Sequence, residues 1–296
     1  MQYYCPFVIV INNIDLAMDT VSFIVKFADD SKAGRVVDSP EDREAFQAML
    51  NRLETWSQEW QLLFNRSKCK VMHFGKDNPR QEYTMDGVAL ESSKQEKDLG
   101  VLIDDNLKPK AQCSKAASNA NMILGQLMRG CTWRDPANLT KLYKVYVRPH
   151  LEYAQSSWSP WLQGDINTLE QVQQRFTRMV SGMGNLTYGE RLAKLGLTTL
   201  QDRHGRGDMI ETFKILTGKV DVNPETWFTP IGSREGAANT RASDGHLNLA
   251  RREASSETRK KQFSVRVVPV WNALPETVKT QESLNCFKNA YDDFKS

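Results

Sequence analysis

Long apolar runs, paired cysteines and charge of a single sign are all missing from this sequence of 296 residues. No stretch reaches the roughly 20 consecutive apolar residues of a membrane span. The N-terminal run PFVIVINNIDLAM is broken by two Asn and an Asp. It reads as a strand rather than a signal or an anchor, so no membrane partner is expected and the product belongs inside the cell, in nucleus or cytoplasm. The five cysteines (Cys5, Cys69, Cys113, Cys131, Cys286) are widely separated, with no C-x-x-C pair and no His at metal-ligand spacing. That excludes a disulfide framework and argues against structural zinc, and it fits a reducing compartment. No internal repeat of solenoid type is found. What remains is 40% hydrophobic and 25% charged, the usual balance of globular protein and enough for one large domain or two ordinary ones.

The formal charge of +3 is unevenly spread. Residues 38–63 carry two basic and six acidic side chains, a net of −4, whereas residues 105–150 carry eight basic and two acidic, a net of +6. Residues 231–268 are also basic, with eight against four. Separated basic stretches suit a phosphate-backbone partner, although solvated helix faces produce the same pattern.

Along the chain, VIVI at 8–11 and VSFIVKF at 21–27 read as strands, the second stopping at ADDSKAG. Ser39-Pro40-Glu41-Asp42 has the form of an N-cap with Pro at the first helical position and acids in the first turn. Phe46, Met49, Leu50, Leu53, Trp56, Trp60 and Phe64 then recur at helical spacing, which predicts a helix from about Pro40 to Leu63 with one face on a sheet. Short strands follow at CKVMHF (69–74), at EYTM and VAL around the turn-forming Asp86-Gly87, and at DLGVLID (98–104). From Lys108 the period becomes helical, with helices expected near 111–129, 136–148, 165–181, 188–195 and 200–217. Residues 219–256, rich in Gly, Ser, Asn and Pro, read as a long, poorly ordered connection, and FSVRVVPVWNALPETV as a last compact patch. The fold class expected is α+β.

Phe27-Ala28-Asp29-Asp30 carries the chemistry, because an apolar strand meets a turn there. Two divalent ions a few ångström apart, clamped by carboxylates on rigid elements, are what polymerase phosphoryl transfer needs, and Mg²⁺ takes hard oxygen ligands. Adjacent strand residues point to opposite faces, so Asp29 and Asp30 cannot both be ordinary ligands unless the turn redirects one; Asp29 is the better principal ligand. Taken alone, such a pair is most often just a turn. His150 reads as structural or surface, His73 as a buried imidazole, and Trp158 and Trp161 as gap-fillers around Pro160.

The order of segments decides between these readings. INNIDL, the strand ending in FADD, a helix with two tryptophans, NRSKCKVMHFG, EKDLGVLID and NLKPKAQCSKAASNANMILGQLMR follow one another, then LYKVYVRPHLEYAQSSWSPW, DINTLEQVQQRFTRMVSG, YGERLAKLGLTTLQDRHGRGDMIETFKILTG and FSVRVVPVWNALPETV. This series resembles the jockey-like and related LINE reverse transcriptases of non-LTR retrotransposons over almost the whole chain. The resemblance implies an RNA-directed DNA polymerase with Mg²⁺ at Asp29 and Asp30, which correspond to the family's two FADD carboxylates. It places Asn65, Lys68 and Lys70 in the segment ending the next palm element, and Leu99-Gly100 in the primer-grip hairpin. It further implies an RNA template and a DNA primer as partners, with no small-molecule cofactor.

The same resemblance implies an incomplete palm of antiparallel strands plus helix over 1–104, a helical thumb-like region over 105–218, a flexible linker over 219–256 and a small C-terminal segment over 257–296. The family's other metal-binding aspartate, its Gly-rich template motif and its fingers lie upstream of the first matching residues, Pro6-Phe7. The expectation is therefore a polymerase fragment that does not extend primers by itself. Non-specific nucleic-acid binding is expected through Lys108, Lys110, Lys115, Lys141, Lys144 and Arg148; the alternatives are a binding remnant without catalysis and a relic without function.

Overall fold

The structure, a computed structural model, describes residues 23–28, 30–131, 134–231 and 247–295. Mixed α and β elements divide into two compact units, one of residues 1–97 and 104–107, the other of residues 98–103 and 108–296.

In the first unit, β1 (Phe23–Phe27) pairs antiparallel with β2 (Asp30–Gly34), with Phe27 opposite Asp30. The strand that stops at ADDSKAG thus turns in a tight hairpin, as expected for a tip at Asp29-Asp30, with Ala28 at φ +53°, and DSKAG itself returns as the second strand. Gly34 permits the pairing because a Cβ there would run into the Phe23 ring. Helix α1 (Pro40–Glu59) starts as expected: the Ser39 hydroxyl accepts from the Asp42 amide at 3.2 Å and the Ser39 amide donates to the Asp42 carboxylate at 3.1 Å. Its end differs. Gln61 takes φ +56° and the Leu62 amide returns to the Ser57 carbonyl, closing the helix before Leu63 and leaving Trp60 exposed. Met49, Leu50, Leu53, Trp56 and Tyr83 form the core, with Ile24, Phe46, Phe64 and Val71 packed against it.

Asp86 and Gly87, at φ +53° and +70°, turn β4 (Thr84–Met85) into β5 (Val88–Ala89), as the dipeptide predicts. The expectation of antiparallel strands throughout is corrected at β3 (Lys70–Met72), which pairs parallel with β6 (Glu91–Ser93). The intervening chain is long enough to return β6 in the same direction. DLGVLID is also no single strand: the chain turns at Leu99 (φ +42°) and Gly100 (φ +90°) between β7 (Gln95–Asp98) and β8 (Val101–Asp104).

The second unit is helical. Helix α2 (Lys110–Gly130) buries Cys113, Ala116, Ala117, Ala120 and Leu124, and these small side chains let α6 (Gln163–Met179) approach with Leu169, Val172 and Phe176. Between them run α3 (Pro136–Leu142), a π turn (Tyr143–Val147), α4 (Arg148–Glu152) and α5 (Gln155–Trp158). Pro149 has no amide to give to the carbonyl four residues back, and the wider turn just before it absorbs the mismatch. Tyr143 stacks on Phe176 with ring centroids 4.1 Å apart.

Helices α7 (Tyr188–Leu195) and α8 (Leu200–Leu216) follow, α7 with a Thr187–Glu190 capping box and Gly196 as its left-handed C-cap. A second core joins Met209 and Phe213 of α8 to Val267, Val268 and Trp271 of α11 (Phe263–Asn272) and to Phe287 and Tyr291 of α13 (Leu284–Lys295). Short helices α9 (Pro224–Trp227), α10 (Glu257–Lys260) and α12 (Glu276–Lys279) complete the unit. Residues 257–295 are therefore part of this unit rather than a body of their own. The stretch 219–256 contains packed structure as well: Phe228 and Leu249 are buried, and Asn272 bonds the Leu249 backbone on both its amide and its carbonyl.

Candidate nucleic-acid interface

In the first unit, Asp30 opens β2 beside Phe27 and is exposed. Asp29 lies outside the described residues. Among the described residues no three His, Cys, Asp or Glu side chains converge as a metal site would require. Asp30 by itself does not make a Mg²⁺ cage, and no catalytic step follows from it here. Asn65 precedes a 3₁₀ turn (Arg66–Lys68), its side chain accepting from Ser67, and Lys68 is exposed. Lys70 is tied to Glu91 across the parallel pair, so a backbone phosphate would have to compete with that carboxylate. His73 is buried and stacks on Tyr83, and burial pushes its imidazole below the usual histidine range.

Most of the expected basic residues fall in the helical unit. Lys108 and Lys110 are exposed at the start of α2. Lys115, one turn further, donates to the Gly100 carbonyl at 2.9 Å. At the same hairpin the Tyr153 hydroxyl donates to the Leu99 carbonyl at 2.9 Å, and the ring lies so close to Gly100 that a Cβ there would meet it at 3.2 Å. Gly100 is required both for its φ and for this approach.

Lys141 is exposed near the end of α3. Beyond it Lys144 and Arg148 meet a cation that composition did not single out, Arg203 of α8. Arg203 grips Glu152 through Nε and Nη2, the latter 3.0 Å from Oε2, while Arg148 Nε stands 3.6 Å from the same carboxylate. Lys144 reaches only a neutral acceptor, the Gly196 carbonyl at 3.3 Å. Three cations against one carboxylate leave this cluster with a net charge of +2. Burial first, then the charges of Arg148 and Arg203, hold the Lys144 ammonium below the usual lysine range. Arg148 is lowered by burial and by Arg203. Such crowding raises the local potential, and an incoming anion would relieve it.

A second polar cluster joins α5, α8 and α11. Arg266 grips Asp208 at 2.9 Å through two nitrogens and donates to the carbonyls of Ser156 and Lys261. Gln155 donates to Asp208 and to the His204 carbonyl, and His204 Nε2 lies 3.0 Å from the Leu151 carbonyl. A cavity of about 240 Å³ adjoins it, lined by Ser159, Ile166, Leu200, His204, Asp208 and Arg266. Its charged groups already bond protein partners, so the cluster is a fastening between helices. The one charge inside the apolar run FSVRVVPVW was the signal that could have pointed to it. Trp158 is buried, as expected, with Nε1 donating to the Tyr153 carbonyl, and His150 is exposed.

No family model, no curated protein and no solved structure matches this chain. Among the described residues no helix is long and apolar enough to cross a membrane.

Proposed function

We propose that this chain derives from the RNA-directed DNA polymerase of a jockey-like LINE element, and that these residues by themselves bind nucleic acid through its backbone without copying it. In this reading the first unit is palm-like and the helical unit thumb-like, with RNA template and DNA primer as the ancestral partners and Mg²⁺ as the ancestral ion. The observation that carries the binding is the half-buried cluster in which Arg148 and Arg203 share the single carboxylate of Glu152 while Lys144, close enough to feel both, has only the neutral Gly196 carbonyl. Cations concentrated at one place attract phosphates whatever the base sequence, by releasing condensed counterions.

The absence of copying rests on the need of two-metal catalysis to hold both ions, primer end and triphosphate in one rigid geometry. A lone pair of FADD carboxylates cannot supply a fraction of that arrangement. A primer-extension assay of the purified chain with Mg²⁺ or Mn²⁺ is expected to give no product on an RNA template. Template-dependent synthesis that disappears in Asp29→Ala would overturn this half of the reading.

A further inference from the structure

Two exposed aromatic rings, one of them held in place, stand on the same stretch of chain as the basic cluster of the helical unit. Tyr153 is 57% exposed, yet it is fastened at three points: its hydroxyl bonds the Leu99 carbonyl at 2.9 Å, its ring edge lies on Gly100, and its carbonyl accepts from Trp158 Nε1 at 2.8 Å. Lys115, which donates to the Gly100 carbonyl, brings a cation to the same hairpin tip. Seven residues earlier, Tyr146 is 55% exposed. Across the π turn and the helix after it, that spacing is about two turns, roughly 10 Å along the axis, and both rings face solvent. Lys144 and Arg148 belong to the same two helical segments as Tyr146 and the residues leading to Tyr153.

A ring already immobilised by the fold loses little entropy when something stacks on it. Flat faces next to cations suit one class of partner best. The bases of a duplex are already stacked on one another, whereas an unpaired strand offers both base faces and phosphates. An acidic protein would use the cations but has no need of open ring faces. A lipid surface would need a broad aliphatic patch where Lys144, Arg148 and His150 stand.

We propose that the helical unit holds single-stranded nucleic acid, with bases stacked on Tyr153 and Tyr146 and phosphates beside Lys115, Lys144 and Arg148. This rests on the reading above that the chain binds nucleic acid, and adds which form it prefers and which rings select it.

The test titrates the full chain against a fluorescein-labelled oligothymidylate and, separately, a labelled DNA hairpin duplex. Tyr146→Ala is the main variant because its exposed ring supports no core, and Tyr153→Phe keeps the second ring while removing its hydroxyl bond to the Leu99 carbonyl. Base stacking of about 1–3 kcal/mol per ring converts to a loss of about fivefold or more in single-strand affinity for Tyr146→Ala. Duplex affinity should stay as in the unaltered chain, and Tyr153→Phe should lose less. Photocrosslinking with an iodouridine-substituted oligonucleotide should map to peptides containing Tyr146 or Tyr153. If Tyr146→Ala binds the single strand normally and crosslinks map elsewhere while Lys144→Gln/Arg148→Gln still weakens binding, the stacking proposal fails and the backbone-binding reading survives. If neither nucleic acid binds, both fail. Polyglutamate displacing the oligonucleotide as well as nucleic acid does, with Tyr146→Ala indifferent, would also overturn the proposal in favour of an acidic protein.

Discussion

The two units differ in how many sides of each apolar element are covered. In the first, Met49, Leu50, Leu53, Trp56 and Tyr83 form a thin core under a short hairpin whose other face shows Phe23, Val25 and Phe27 to solvent. In the helical unit, α2 and α6 are packed around Ala117, Leu124 and Phe176, and a second core surrounds Phe213, Trp271 and Phe287. Phe213 and Phe287 stack at 4.3 Å there. The lesson concerns where function can stand. Preorganised binding needs side chains held by a packed support, and the basic cluster and the fastened Tyr153 ring sit on the unit that has one.

The largest effects that could break this contrast are in the cores. Phe176→Ala, which removes a fully buried ring stacked on Tyr143, should cost about 4 kcal/mol of unfolding free energy in a denaturant titration. Met49→Ala in the thin core should cost about 2 kcal/mol, the low end for such truncations, because a shallow shell collapses more readily. Equal losses at the two sites would remove the distinction. Next is the fastening between helices. Arg266→Met leaves Asp208 without its cationic partner and the Ser156 carbonyl without its arginine donor and should cost about 3 kcal/mol, and adding Asp208→Leu should restore part of that loss. A single variant as stable as the unaltered chain would show that the cluster fastens nothing.

How much of this was legible in the sequence depended on whether the signal was local. Ser39 with Asp42 and Asp86-Gly87 act through neighbours a few residues away, so cap and hairpin were readable. The five helices after Lys108 carried their period openly, apart from the wide turn that Pro149 imposes. What was hidden depended on distant partners. How far the chain returning from the Asp29-Asp30 tip stays paired rests on Gly34 meeting Phe23, the parallel β3/β6 pair on a crossover, and the burial of Leu249 on Asn272. In the candidate interface, Lys144 and Arg148 were visible as charges, but Arg203 comes from a distant helix to share Glu152 with Arg148, and Lys70 proved to be held by Glu91.

A smaller effect concerns pH. Burial lowers His204 in the helical unit and His73 in the first, so each folded imidazole stays neutral at a pH where the unfolded one, at about 6.5, takes a proton. The unfolded chain then binds more protons, and stability should fall as pH drops below about 6.5, by at most about 1.4 kcal/mol per pH unit for each histidine, levelling off below the folded value. Denaturant titrations at several pH values should show the slope, and His204→Gln should flatten it more than His73→Gln does, since His204 is more deeply enclosed. A flat profile in the unaltered chain would contradict the burial of both rings.

The most direct test of the central claim, that a cation cluster on the helical unit binds nucleic-acid backbone, is the salt dependence of affinity for a DNA duplex. For the unaltered chain, the logarithm of the binding constant should fall linearly with the logarithm of salt concentration. For Lys144→Gln/Arg148→Gln the slope should become shallower by about 2, roughly one for each cation removed, with unfolding free energy little changed. A binding constant indifferent to salt, or a slope identical in the double variant, would contradict the account.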